Sequence, residues 1–220
     1  HNIGVHYELG HGVKPNTSKA LQYYLKAAQQ DYAPSQYKLS CFYAQGYGVE
    51  VDTLESIQWL RLAAQQGLPE AQYELARHYT HGLGLAQDLP QAASWYERAA
   101  QQGHVLAQAI LASLYEHGLG VVADSAQAAH WYEQAAQKGH LEAQNGLGLC
   151  YEQGYGVKAD PVEAFRWYQQ AAEGGLLEAQ CNLARCYMKG IGVMRSASDA
   201  ASWYRKAAQK GHALAQYHLG

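Results

Sequence analysis

The chain has 220 residues, of which 48% are hydrophobic, and its 16 basic and 19 acidic residues leave a net charge of −3. This composition is typical of a packed protein, and it argues against disorder and against nucleic acid as a partner, which requires clustered lysine and arginine. The sequence has no polybasic segment and no apolar run near the roughly 18 residues of a membrane span, so we predict no direct membrane insertion.

One segment recurs every 36 residues, a period typical of stacked-repeat proteins. Its tryptophan position is occupied in turn by Trp59, Trp95, Trp131, Trp167 and Trp203, and Tyr23 holds the same place at the front. Because stacked repeats have no internal boundary, we predict one continuous array over residues 1–220. It comprises a partial repeat at 1–34, full repeats at 35–70, 71–106, 107–142, 143–178 and 179–214, and the start of a further repeat at 215–220.

Both ends of the chain fall inside a repeat. We therefore expect the natural N-terminus to lie upstream of His1 and the array to be longer than this sequence. Solenoids normally end in a polar capping element, which Tyr217 and Leu219 would need.

Each repeat is predicted to form two helices. In 71–106 the first helix places Ala71, Leu75 and Tyr79 on one apolar face. It should end at the first glycine of a Gly-x-Gly pair, where a left-handed residue closes a helix. The six pairs are Gly10/Gly12, Gly46/Gly48, Gly82/Gly84, Gly118/Gly120, Gly154/Gly156 and Gly190/Gly192.

The second helix begins at a capping box, in which a cap residue is followed three positions later by an acid or amide. The boxes are Asp52/Glu55, Asp88/Gln91, Asp124/Gln127 and Asp160/Glu163. Asn16 and Ser196 can cap but lack the second partner, so we expect the outer repeats to fray first. A stripe of alanines with Trp95 and Tyr96 then forms one apolar face, which we assign to packing.

The motif as a whole, Ala-Gln-x-x-Leu-Ala/Gly-x-x-Tyr-x-x-Gly-x-Gly-Val-x-x-Asp-x-x-x-Ala-x-x-Trp-Tyr-x-x-Ala-Ala-x-x-Gly-His, resembles the Sel1-like repeat and covers essentially the whole chain. That family is similar to the tetratricopeptide repeats. The resemblance implies an all-α, right-handed α-solenoid of antiparallel helix pairs whose first helices line the concave face. The resemblance also implies that the chain acts as a non-enzymatic adaptor in protein complexes. Some members carry a disulfide in each repeat, but the four cysteines here do not recur with the period.

Positions that recur between the repeats serve packing. Surface positions that differ between the repeats are not required for packing and can determine which partner is bound. On the first helices they form one face beside the packing stripe, and a groove of tyrosine, arginine, histidine and carboxylate side chains suits an extended peptide or a loop. The predicted partner-binding residues are Tyr37, Tyr73, Arg77, Thr80, His81, Ser113, Glu116, His117, Asn145, Glu152, Gln153, Arg185 and Lys189. In this comparison the set Tyr73, Arg77, Thr80 and His81 corresponds to Tyr37, Cys41, Ala44 and Gln45.

No catalytic, metal or cofactor site is predicted. His104, His140 and His212 follow a helix-closing glycine in each case, so we assign them to the scaffold. His81 and His117 are in phase, but no third ligand accompanies them, and zinc needs several ligands about 2 Å from the ion. The Gly-x-Gly pairs lack the third glycine and the strand of a dinucleotide fingerprint. We read Cys41, Cys150, Cys181 and Cys186 as free, buried or half-buried thiols, which weakly favours a reducing compartment.

The leading functional hypothesis is a non-enzymatic scaffold or adaptor that binds a partner peptide or protein loop in its concave groove. Two alternatives stay open at this stage. The chain could be an exported array that recognises a glycan or a cell-wall fragment, since tyrosine-rich grooves can stack on sugars. It could also be the targeting arm of a larger enzyme.

Overall fold

The computed structural model describes residues 1–218, and within them it contains thirteen α-helices and no β-strand. The helices are α1 Asn2–Leu9, α2 Thr17–Ala28, α3 Ala33–Gln45, α4 Thr53–Gln65, α5 Pro69–His81, α6 Leu89–Gln101, α7 Val105–His117, α8 Ser125–Ala136, α9 Leu141–Gln153, α10 Pro161–Glu173, α11 Leu177–Lys189, α12 Ala197–Gln209 and α13 Ala213–Tyr217. The predicted pair of helices per repeat is confirmed. Leu219, which was predicted to need a cap, lies outside the described residues, as does the end of the segment 215–220.

The helices form two compact units, one from His1 to Ala107 and one from Gln108 onward. Within each unit the helices stack in successive pairs: α3 packs on α4 and α5 on α6 in the first unit, and α9 packs on α10 and α11 on α12 in the second. Each pair also contacts the next, as α4 contacts α5 and α10 contacts α11. This stacking is that of an α-solenoid, as the sequence predicts. That both units belong to one continuous array remains a prediction.

The position after the tryptophan carries a buried large side chain in every second helix of residues 1–218. Its occupants are Tyr24, Leu60, Tyr96, Tyr132, Tyr168 and Tyr204, all at most 8% exposed. Among the five tryptophans only Trp131 is buried, and the other four are half-buried. Tryptophan and tyrosine both lie on the predicted packing face, but outside α8 the position after the tryptophan is the more buried of the two. The half-buried rings lie at the edge of the core, and a cation covers two of them: Arg98 lies 4.4 Å from the Trp95 ring and Lys206 lies 3.8 Å from the Trp203 ring.

Within each unit, buried glutamines join one helix pair to the next. The Nε2 atoms of Gln36, Gln72, Gln144 and Gln180 each donate to an alanine carbonyl eight residues earlier, at 3.2–3.3 Å. These carbonyls lie in the last turn of the preceding second helix, whose oxygens have no partner within the helix. The recurring Ala-Gln of the motif is therefore a buried hydrogen-bonding device, a role that the sequence pattern alone does not reveal.

Half of the predicted capping box is confirmed. The Asp88 side chain accepts from the backbone N–H of Gln91 at 3.0 Å, and Asn16 and Ser196 cap in the same way. The reciprocal half does not form, because the backbone N–H of Asp88 donates instead to the Tyr79 carbonyl at 2.9 Å. The same bond to a tyrosine carbonyl recurs at Asn16, Asp52, Asp124, Asp160 and Ser196. It fixes the length of the loop between the two helices of a repeat.

The Gly-x-Gly loops close the first helices as predicted, and the second glycine has a further role. Gly82 is left-handed, with φ 66°, and both it and Leu83 donate to the His78 carbonyl. In the second unit, Gly156 also has positive φ and presses on the first turn of α8, where a Cβ atom would lie 1.9 Å from the Ser125 carbonyl oxygen. The loop of one repeat therefore touches the backbone of the repeat before it.

Gly156→Ala should destabilise the fold by about 2–5 kcal/mol, because it adds left-handed strain to an overlap with backbone atoms that cannot move aside. Gly12→Ala is the matched control, since Gly12 has φ 73° and no atom lies within 4 Å of an added Cβ. Its cost should stay near 1–2 kcal/mol. Urea unfolding of the two variants measures the difference, and equal losses would contradict the contact.

Tyr96→Ala should cost about 3–5 kcal/mol, as expected for a large side chain removed from a core. Trp95→Ala, at the adjacent half-buried position, should cost only about 1–3 kcal/mol. Chemical denaturation of both variants tests the order. A larger loss for Trp95→Ala would show that the tryptophan carries the core after all.

Candidate functional site

In the first unit, a cleft of about 270 Å³ lies among α3, α4 and α5. Two predicted residues, Tyr37 and Arg77, line it together with the equivalent positions Cys41, Ala44 and Gln45. The variable faces of two neighbouring first helices thus meet at one place. The cleft is also lined by residues that the sequence comparison did not select, namely Ser40, Ser56, Leu60, Glu74 and His78.

The other predicted residues of this unit, Tyr73, Thr80 and His81, differ in their burial and in their contacts. Tyr73 is half-buried and stacks on the His104 ring, with 4.5 Å between the ring centroids. The Thr80 hydroxyl donates to the Ala76 carbonyl at 2.9 Å, so it is partly occupied within its own helix. His81 is exposed at the end of α5.

Three polar groups of the cleft, on Tyr37, Cys41 and Arg77, are held in their protonated forms. Burial raises the pKa of the Tyr37 hydroxyl, and the neighbouring Cys41 and Glu74 add to the rise. Burial also raises the pKa of the Cys41 thiol. The Glu74 carboxylate raises the pKa of the Arg77 guanidinium. At neutral pH the cleft therefore presents a hydroxyl, a thiol and a cation as hydrogen-bond donors, and the thiol is not an activated nucleophile.

In the second unit, Glu152 is the centre of a hydrogen-bond network. It accepts from the Tyr168 hydroxyl at 2.8 Å and from both terminal nitrogens of Arg185, at 2.5 Å from Nη1 and 2.6 Å from Nη2. Its side chain is only 9% exposed, and the Arg185 hydrogen bonds hold the pKa of this carboxyl below its usual value. Asn182 extends the network, accepting from Arg185 at 3.4 Å and donating to Asn145 at 2.9 Å.

This acid–tyrosine pair recurs along the chain with a fixed separation of 16 residues. The Tyr132 hydroxyl donates to Glu116 at 2.6 Å, and the Tyr24 hydroxyl donates to Glu8. At the equivalent places Thr80 lies 3.4 Å from the Tyr96 hydroxyl, and Ala44 is matched by Leu60. Met188 stands sixteen residues before Tyr204, so Ala44 and Leu60 are the one pair in residues 1–218 that lacks both the acid and the tyrosine.

Three further predicted residues of the second unit end first helices, and Ser113 lies one turn before the end of α7. His117 is exposed, and its Nδ1 lies 2.9 Å from the carbonyl of Ser113. Gln153 and Lys189 are exposed at the ends of α9 and α11. A second cleft, of about 210 Å³, is lined by Glu116, Ser125, Ala128, Leu149, Cys150 and Tyr155.

Two of the three recurring histidines cap first helices, whereas Nδ1 of His212 lies 3.3 Å from the Cys181 sulfur and makes no cap hydrogen bond. Nδ1 of His104 accepts from the Ala107 N–H at 3.2 Å, and Nδ1 of His140 accepts from the Ala143 N–H at 3.3 Å. Both rings therefore cap first helices, and burial lowers the pKa of His104, which favours the neutral ring that can accept. The four cysteines are free, one half-buried and three buried.

Across residues 1–218, no group of three or more histidine, cysteine or acidic side chains could hold a metal ion. None of the helices in that span has the length and apolar character needed to cross a bilayer.

Comparison with known proteins places this architecture in a family. The model of the Sel1 repeat matches six segments, residues 1–32, 33–68, 69–104, 105–140, 141–176 and 177–212. The chain belongs to the Sel1 repeat family. The repeat boundaries of the family model fall two residues before the predicted boundaries, and the period of 36 residues is the same. Proteins of this tetratricopeptide-like family generally act as scaffolds for protein interactions and are typically non-enzymatic.

Solved structures agree with this assignment. A protective antigen of uropathogenic Escherichia coli strains, with an SLR fold, is 36% identical over 99% of this chain, with a TM-score of 0.95. The chain spans 47% of that antigen's length. A Sel1 repeat protein from Oxalobacter formigenes is 32% identical, with a TM-score of 0.88 over 99% of this chain and 88% of its own. No curated protein matches the sequence.

Glu152→Gln should destabilise the protein by about 1.5–3 kcal/mol at neutral pH, because two charge-assisted hydrogen bonds lose their anion. Glu74→Gln is the matched control, since Glu74 forms a half-exposed pair with Arg77 and should cost under about 1 kcal/mol. Because folding lowers the Glu152 pKa from its ordinary 4.5, its stabilisation is present above pH 4.5 and is lost as the pH falls through the folded value. The gap between wild type and Glu152→Gln should therefore close in acid. A gap that is constant across this range would contradict the ion pair.

Proposed function

We propose that this chain is a non-enzymatic scaffold that binds a peptide or loop of a partner protein on the variable face of its first helices. The observation that carries the proposal is the cleft among α3, α4 and α5, which is lined by side chains at positions that differ between repeats. Positions that recur, such as the buried tyrosines and glutamines, serve packing instead. Specificity can therefore vary on this face without loss of the fold.

The predicted surface divides into residues that position helices and residues that are open to a partner. Glu152 and Arg185 satisfy each other, and Asn145 bonds to Asn182, so we assign these three to holding α9 against α11. Gln153, Lys189, His81 and His117 are exposed and stay candidates for contact. Tyr37 and Arg77 are the strongest candidates, because tyrosine and arginine are favoured anchors in interfaces.

The concave shape of this face is what the family resemblance implies, and we carry it into the proposal. An extended segment can lie across neighbouring first helices and insert a side chain between them. The cleft is smaller than the 300–1,000 Å³ common for drug-sized ligands, so it fits one side chain better than a cofactor.

Selection of a random peptide display library on the 220-residue chain provides a direct test. Peptides that bind the wild type should bind the double variant Arg77→Ala/His81→Ala at least about tenfold more weakly, as expected when an interface anchor is removed. Arg61→Ala/Gln65→Ala is the matched control, because both residues are exposed on the second helix α4. It should leave binding unchanged.

The melting temperatures of both double variants should lie within a few degrees of the wild type, so that lost binding is not lost folding. Two results would overturn the proposal: a library that yields no specific binder, or binders that lose affinity equally in the two double variants.

A further inference from the structure

Two of the three glutamates that accept from a buried tyrosine are met by a cation from the following repeat. In the second unit, Glu152 on α9 is bound by Arg185 on α11 through two nitrogens. In the first unit, Glu8 on α1 is bound by Lys38 on α3, with Nζ 2.9 Å from Oε1. Both ion pairs join one first helix to the next, and both carboxylates also accept from a buried tyrosine.

Between α3 and α5 the cation is present but the carboxylate is not. Arg77 is three periods before Arg185, and Ala44 and Leu60 are three periods before Glu152 and Tyr168. Ala44 is smaller than glutamate, and Leu60 has no hydroxyl group. The cleft of about 270 Å³ lies at this place, and Ala44, Leu60 and Arg77 all line it.

Arg77 also uses only part of its guanidinium. Nη1 donates to both carboxylate oxygens of Glu74, at 3.0 and 3.2 Å. In the described part of the chain no carboxylate accepts from its Nη2 or Nε, whereas Arg185 gives both Nη atoms to one carboxylate. The Arg77 and Glu74 side chains are 43% and 30% exposed, and such a pair between residues three apart is weak enough to share its cation.

We propose that this cleft receives a glutamate or aspartate side chain of the partner, which Arg77 binds at the place that Glu152 occupies in the second unit. This inference rests on the proposed function and names the chemistry of the partner. The free edge of a guanidinium binds a carboxylate through paired hydrogen bonds. The protonated Tyr37 hydroxyl and Cys41 thiol line the same cleft as further donors. Glu74 opposes the incoming charge, and His78 is the other titratable group on the wall.

Two capped pentapeptides, acetyl-AAEAA-amide and acetyl-AAQAA-amide, test the inference on the 220-residue chain. The readout is the NMR shift of the Arg77 side-chain N–H groups during titration. The acidic peptide should shift these signals and bind at least about tenfold more tightly than its amide match, since a charge-assisted pair is replaced by a neutral one. Equal binding of the two peptides would overturn the inference.

The double variant Ala44→Glu/Leu60→Tyr rebuilds the acid and tyrosine of the other repeats inside the cleft. It should melt no lower than the wild type, and it should lose the response to AAEAA because its own carboxylate occupies Arg77. Retained binding in this variant, once folded, would contradict the proposed position. Arg77→Gln gives a second route that leaves the core untouched, and it should also remove the preference for AAEAA.

Glu74→Gln should strengthen AAEAA binding several-fold by removing the competing charge. Unchanged or weaker binding in this variant would count against Arg77 as the acceptor. If the display selection yields peptides that bind the first-helix face without any acidic preference, the scaffold proposal stands and this inference fails.

Discussion

The burial of one large side chain in each second helix, a tyrosine in all but α4, is the constraint on which the rest of the structure depends. Tyr24, Tyr96 and Tyr168 are at most 1% exposed, and each is covered by the first helices that pack around it. A helix pair cannot bury such a ring by itself, because one face of the pair stays open until the next pair is added. The free energy of unfolding of a repeat therefore depends on its contacts with the repeats on either side.

The same rings determine what the surface can do. A buried tyrosine hydroxyl needs an acceptor, and in three repeats the acceptor is a glutamate on the first helix. Two of these glutamates also attract a cation from the following first helix. The polar face is thus built outward from the core, and its charges are in part a consequence of packing. Leu60 has no hydroxyl group and needs no acceptor. The first-helix position beside it can therefore be occupied by a residue without an acceptor, here Ala44.

Much of the fold follows from the sequence because its signals are local. Asp88 as a helix cap and Gly82 as a helix end are decided within a few residues, so the pattern predicts them well. The choice between Trp95 and Tyr96 as the buried ring is different, since both are aromatic neighbours and only the packed structure separates them. The site was harder still. Arg77 stands at a position where the repeats differ, whereas Glu74 and His78 line the cleft because of how the helices pack, which the repeat comparison does not show. The joint change of Ala44 and Leu60 was visible in the sequence, yet its meaning depends on the contact between them.

The contact of Gly156 with the Ser125 carbonyl has a consequence for how such a chain can evolve. The contact leaves no room for a methyl group. An inserted residue in this loop would therefore displace the helix that the loop touches. Insertions between the two helices of a repeat are therefore disfavoured, and the period stays constant from copy to copy. New properties must come from exchanging side chains on a fixed frame, or from adding whole repeats. Variation between the repeats of this protein therefore lies in substituted side chains and in the number of repeats, while the contact of the loop with the preceding helix restricts the spacing.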